Sequence, residues 1–228
     1  MSSYFSEHSL KFMRALARHN DREWFHAHKQ DYEQFVRAPF LVLLTDLQPA
    51  LREVSEHYRA DPKTVGGSLF RIHRDTRFSN NKAPYKEWQG ARLFHARSKE
   101  VEAPSFYIHL QPGNCFIAAG LWHPEPDTLR RLRQFIVDNP GSWVNAAHAK
   151  AFRKRFDLDD SEMLVRPPRG YPADFVHLDD LRRKNYVAIR MIDDATMTGP
   201  RLLATLAKDL QQLVPLMDYL CAALDLEF

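Results

Sequence analysis

The chain has 228 residues, 44% hydrophobic, 27% charged and 12% aromatic, with a formal net charge of +3. This is the composition of an ordinary globular protein with enough length for a sizeable core, and it excludes a disordered or collagen-like chain. The pI of about 8.8 admits anionic partners, yet it falls short of the basic footprint of a dedicated nucleic-acid domain.

Helices come first. Leu10, Met13, Leu16 and Ala17 recur at helical spacing and predict an amphipathic helix ending near His19 and Asn20. Asn20 is then the expected N-cap of a second helix, with Glu23 completing a capping-box pattern. That helix presents Trp24, Phe25, His28, Tyr32, Phe35 and Val36 on one side. Pro39 suits the first turn of a third helix, striped by Leu43, Leu44, Leu47, Leu51 and Val54.

Asp61-Pro62 and Gly66-Gly67 mark the break into a β region, where strands are predicted at 68–73, 90–95, 105–111 and 114–122. Pro112-Gly113-Asn114 is a turn signal, so the last two should pair as an antiparallel hairpin. Phe106, Ile108 and Leu110 alternate with Tyr107, His109 and Gln111, the pattern of a half-buried strand. The nearly all-apolar run 115–121 fits a central one.

A helix carrying Leu129, Leu132, Phe135 and Ile136 follows Pro126 and stops at Asn139-Pro140-Gly141, and residues 142–152 make another. An irregular tract over 156–174, a short helix near 178–184 and a strand over 186–191 lead to a leucine-rich helical segment from Pro200. Pro215 is expected to kink or split that segment. With no repeat or linker, the expectation is one α+β domain over residues 1–228: N-terminal helices, a central mostly antiparallel sheet, and C-terminal helices packed on it.

Cys115 and Cys221 are the only cysteines and form no paired motif, which fits a reducing compartment. Cys115 lies in an apolar run and reads as an inert core thiol. The opening MSSYFSEHSLKFMRAL has no uninterrupted apolar run, and no apolar stretch is long enough to span a bilayer. A cytoplasmic protein without membrane contact is expected.

Phe70 to Phe94 carries the strongest functional signal. It holds six Lys/Arg (Arg71, Arg74, Arg77, Lys82, Lys86, Arg92) against Asp75 and Glu87, a net of +4, so the rest of the chain sums to −1. Cations this dense repel one another unless acids, water or an anion sit among them. One reading is a cradle for phosphate, sulfate or carboxylate. Arg71, Arg74 and Arg77 would offer forked donors, Lys82 and Lys86 point charges, and Tyr85 a hydroxyl with a stacking face. Asp75, between Arg74 and Arg77, would orient them rather than act as a base. Trp88, Trp122, Tyr85, Tyr107 and His123 are candidates for aromatic walls beside the loop.

Other chemistries lack their signatures. The sequence has no Walker A, no GxGxxG after a strand, no GxSxG and no HExxH. His73, His95 and His109 each fall in a predicted strand, but solvent-facing or hydrogen-bonded histidines explain them better than a metal, and no metal ligands are assigned.

The string from Phe70 to Ser79, FRIHRDTRFS, followed by Lys82 and Pro84-Tyr85-Lys86, resembles the signature of the family known as domain of unknown function 2461. Asn20-Asp21-Arg22-Glu23-Trp24-Phe25 matches it as well, as do Gly120-Leu121-Trp122 and Pro124-Glu125-Pro126. Asn81 departs from the pattern, which has an acid before the lysine. The resemblance implies an α+β fold and a shared site at Arg71, Arg74, Asp75, Arg77, Lys82, Tyr85 and Lys86, and it implies no activity or cofactor.

Three functions follow as expectations. The preferred one is a site for a small anionic or phosphorylated ligand on the basic loop, with Trp122 among its aromatic walls. A nucleic-acid partner is second, and would extend the positive charge through Arg130, Arg131, Arg133, Arg153, Lys154 and Arg155. In the third, the arginines form a buried, paired network that holds the fold.

Overall fold

A computed structural model describes residues 3–172 and 174–228. Helix α1 (Glu7–Arg18) buries Leu10, Met13 and Leu16 of the predicted stripe, while Ala17 is exposed. Helices α2 (Arg22–Ala27) and α3 (Lys29–Tyr32) and a π-helical turn (Glu33–Arg37) run almost without interruption into α4 (Ala38–Val54). The predicted second and third helices are thus one winding segment. Its N-cap is Asp21, not Asn20: the Asp21 carboxylate accepts from the Trp24 amide at 2.8 Å.

One six-stranded sheet follows, built from β1 (Tyr58–Arg59), β2 (Gln89–His95), β3 (Ser105–Leu110), β4 (Cys115–Leu121), β5 (Asp157–Leu158) and β6 (Tyr186–Ile192). The spatial order is β1-β2-β3-β4-β6-β5, and every neighbouring pair is antiparallel. Between β4 and β5 lie α5 (Pro126–Asp138), α6 (Pro140–Trp143), a π-helical turn (Val144–His148) and α7 (Lys150–Arg153). Helix α8 (Leu178–Leu181) precedes β6, and α9 (Asp194–Met197) and α10 (Leu202–Ala222) follow it. The fold is α+β, with N- and C-terminal helices flanking the sheet.

The predicted strand 68–73 does not form. Only isolated bridges occur there, Leu69 with Ala91 and His73 with Tyr85. Four positions separate the bridges on one side (69 to 73) and six on the other (85 to 91), so no continuous ladder can hold register between them. The basic stretch is therefore an open loop laced at two points to the return chain.

Alternation along the strands sorts side chains between two faces. Ala91, Leu93, Phe106, Ile108, Cys115, Ile117, Ala119 and Ala188 are buried in the core with α4 and α10. On the same face Arg190 reaches α10, where it and Arg155 (2.5 Å) bind the fully buried carboxylate of Asp209. Helix α10 runs through Pro215 unsplit, because Pro215 lies on its exposed side while Leu213, Leu216 and Met217 pack inward. The carbonyl freed by the missing N–H can then meet water. Among the described residues no helix is long and apolar enough to cross a membrane.

Candidate ligand site on the open sheet face

The opposite face of the sheet floors a cavity of about 670 Å³. Arg92, Tyr107, Ala118 and Ile189 lie in one register row across β2, β3, β4 and β6, with His109 and Phe116 in the adjacent row. Phe70 and Trp88 come from the basic stretch to form one wall, and Trp122 lines it from beyond the end of β4. Trp122 is 57% exposed and stacks on His123 at 4.6 Å.

Two glycines shape the floor. A Cβ at Gly90 would lie 2.2 Å from the Tyr107 hydroxyl, so only glycine lets that ring lie across β2. Gly120 has φ +137°, and a Cβ there would meet the Tyr186 carbonyl at 1.9 Å.

A hydrogen-bond chain fixes the floor's polar edge. Gln111 Oε1 accepts from Asn114 Nδ2 at 3.0 Å and from His109 Nε2 at 3.1 Å. His109 Nδ1 is then the acceptor for the Tyr107 hydroxyl at 2.8 Å. Burial pushes His109 below its ordinary value of 6.5, against a smaller upward pull from Gln111, so the ring is neutral at pH 7. Burial also raises Tyr107 well above the usual phenol range, so its hydroxyl keeps its proton and is no nucleophile. His109 stacks on Phe116 at 4.4 Å and 12°, with Trp88 at 5.1 Å. Apart from Arg92, the floor is aromatic and uncharged.

Of the ionisable groups on the walls, Glu102 is held by the Glu125 amide at 3.1 Å and Asp159 by Asn185 at 3.0 Å. Arg92 is exposed, and its guanidinium has no hydrogen-bond partner among the described residues.

The loop cations divide. Arg77 forms a bidentate pair with Asp75 (3.0 and 2.7 Å), which holds the Asp75 carboxyl below the usual range. Of the two arginines that flank it, Asp75 therefore takes Arg77 and not Arg74. Lys82 Nζ donates to the Thr76 carbonyl at 3.0 Å. Lys86 Nζ donates to the Arg71 carbonyl at 2.7 Å and sits 5.5 Å from the Phe70 ring centre and 5.0 Å from that of Trp88. Burial first, then the Arg71 charge, lowers its pKa. The guanidiniums of Arg71 and Arg74 have no partner among the described residues.

Arg74, Asp75, Tyr85, Lys86, Glu87 and Trp88 line a second, shallower hollow of about 440 Å³, where Arg74 and Lys86 face two carboxylates, one of them already paired with Arg77. Arg71, Arg77 and Lys82 line neither cavity, and nor does His123. Tyr85 is 2% exposed, and its ring face is covered by Phe25 at 4.1 Å, so it offers no stacking surface. That corrects one expected role. His73, His95 and His109 do not meet either: His95 binds the Glu227 carbonyl, and His73 packs near Phe25 and Tyr85.

Sequence reasoning missed two contributors. Helices α2 and α3 bring Arg22, His26 and Lys29 toward the loop, and after burial these charges, with Arg71, hold His73 below its ordinary value. Phe70, Arg92, His109 and Phe116 line the groove, and strand parity was the signal that could have found the last three.

The fold and site define an α+β protein with helices on one side of a sheet and an aromatic groove on the other. The chain belongs to the family described as "Conserved hypothetical protein (DUF2461)", whose model matches residues 8–219. No curated protein and no solved structure matches it.

Proposed function

We propose that this protein binds a small ligand with an anionic group and a flat ring. The ring would lie against Trp88, Tyr107 and Phe116 in the groove, and the anionic group would meet Arg92 or the Arg74 and Lys86 hollow. One observation carries this reading: Trp88 lines both the aromatic groove and the hollow that holds Arg74 and Lys86, so a single modest ligand can touch both. The unpaired Arg74 and Arg92 support it, because a structural network would have neutralised them.

The nucleic-acid alternative is less well supported. Arg130, Arg131, Arg153 and Arg155 each pair with an aspartate, and Arg133 donates to the Arg183 carbonyl. The expected stripe is therefore largely neutralised. The third alternative finds its buried pair at Asp209 rather than in the loop.

The test is a thermal-shift titration with phosphate, sulfate, mononucleotides and short oligonucleotides on wild type and an Arg74→Ala/Arg92→Ala variant. Stabilisation by a mononucleotide beyond that by phosphate, lost in a variant that itself melts near wild type, supports the proposal. Absence of any shift, or a variant that melts much earlier, overturns it. Oligonucleotide binding that exceeds the mononucleotide and collapses with salt would favour the second reading.

A further inference from the structure

The geometry points to a transition-metal site at His148, His177 and Asp180, away from the groove. Among the described residues this is the one trio of His, Cys, Asp or Glu whose ligand atoms all come within 4.8 Å of one another. His148 ends the π-helical turn after α6, His177 is the N-cap of α8, and Asp180 lies within α8. His148 Nε2 is 2.6 Å from Asp180 Oδ2, and His177 Nδ1 is 4.0 Å from the same oxygen. Ligands around a tetrahedral zinc stand about 3.4 Å apart, as bond lengths of about 2.0–2.2 Å require. The observed spacings bracket that value, so small side-chain rotations would bring all three donors onto one ion.

Three features fit a metal better than a chance ion pair. The donor set of two imidazoles and one carboxylate suits zinc, nickel or copper rather than magnesium or calcium. Asp180 is 4% exposed, and Trp143 Nε1 donates to its Oδ2 at 2.8 Å, fixing the carboxylate from behind. Arg183 donates to the other oxygen, Oδ1, at 3.0 Å, which orients the carboxylate, and an ion would share Oδ2 with the Trp143 indole. Three protein ligands leave a fourth position for water or another donor.

His148 Nε2 and Asp180 Oδ2 lie at hydrogen-bond distance, 2.6 Å, and a divalent ion on the same two atoms would replace that contact. The experiment titrates Zn²⁺ into the full chain by calorimetry, with Mg²⁺ as a control. One equivalent of Zn²⁺ should bind, and Mg²⁺ should not. His177→Gln should weaken binding by more than about tenfold, since loss of a direct ligand exceeds the effect of outer-shell changes. His177 makes no short hydrogen bond to Asp180, so that variant should keep the wild-type melting temperature. No stoichiometric Zn²⁺ binding, or equal binding by wild type and a His148→Gln/His177→Gln variant, would overturn the site.

Discussion

Asn20 and Tyr85 are joined by two backbone-directed hydrogen bonds, each 3.0 Å: Asn20 Nδ2 donates to the Tyr85 carbonyl, and the Tyr85 amide donates to Asn20 Oδ1. One side-chain amide thus does for Tyr85 what a neighbouring strand would do. It ties the turn before α2 to the return arm of the basic loop, two segments that the sequence keeps far apart. Phe25, stacked on Tyr85, closes the same junction with apolar contact.

Replacing Asn20 by Ala removes both partners from a part-buried amide and carbonyl. A loss of about 1–3 kcal/mol is expected from groups left unsatisfied. The effect should be local first, so amide exchange over residues 79–88 should quicken more than exchange in β3 and β4. A uniform change across the sheet, with no excess in the loop, would show that Asn20 does not hold the loop in place.

The loop cations and the buried arginines should behave oppositely. Arg71→Ala removes an exposed, unpaired side chain and should change stability by less than about 0.5 kcal/mol, and Arg74→Ala, half-buried but also unpaired, should cost little more. Asp209→Ala leaves Arg155 and Arg190 facing each other without their fully buried carboxylate, and should cost about 3–5 kcal/mol. Urea unfolding of the three variants checks the contrast. Similar losses in all of them would mean the loop arginines are structural after all.

How far these features were legible depends on how local their causes are. The strands β2, β3, β4 and β6 and the hairpin between β3 and β4 were readable because alternation and a Pro-Gly-Asn turn act within a few residues. The strand expected at 68–73 failed because its register depends on how many residues the returning chain inserts, which alternation does not encode. Asn20 looked like a cap because Asp21 beside it has the same capacity, and Asn20 is instead claimed by Tyr85. The concentration of charge in the loop was legible, while its distribution was not. Asp75 takes Arg77, backbone carbonyls take Lys82 and Lys86, and Arg92 faces the groove. His148, His177 and Asp180 share no spacing motif, so only the fold brings them together.

Gly90 offers a test of the groove that leaves its charges alone. Gly90→Ala puts a methyl where the Tyr107 hydroxyl now lies, with backbone on one side and the ring on the other. Tyr107 must swing away from His109, and overpacking should cost about 1–3 kcal/mol. A mononucleotide that stabilises the wild type should then fail to stabilise the variant at the same concentration. Undiminished binding would mean the ligand does not rest on Tyr107.

The neutral His109 predicts an acid-sensitive stability with a definite sign. Its folded pKa is depressed by burial, while in the unfolded chain it titrates near the ordinary 6.5. Below that pH the unfolded state binds a proton that the folded state refuses, so stability falls as pH drops from about 6.5 toward the folded pKa, and the slope ends there. The neighbours on the floor, Tyr107, Gln111, Asn114 and Phe116, supply no carboxylate to reverse this. His109→Gln removes the titrating group, so the gap in stability between wild type and variant should shift toward the variant between pH 7.5 and pH 5.5, measured by urea unfolding. A gap that stays constant, or a His109 ring that titrates at or above 6.5 by NMR, would show that the floor tolerates charge and is not the apolar surface on which a flat ligand would stack.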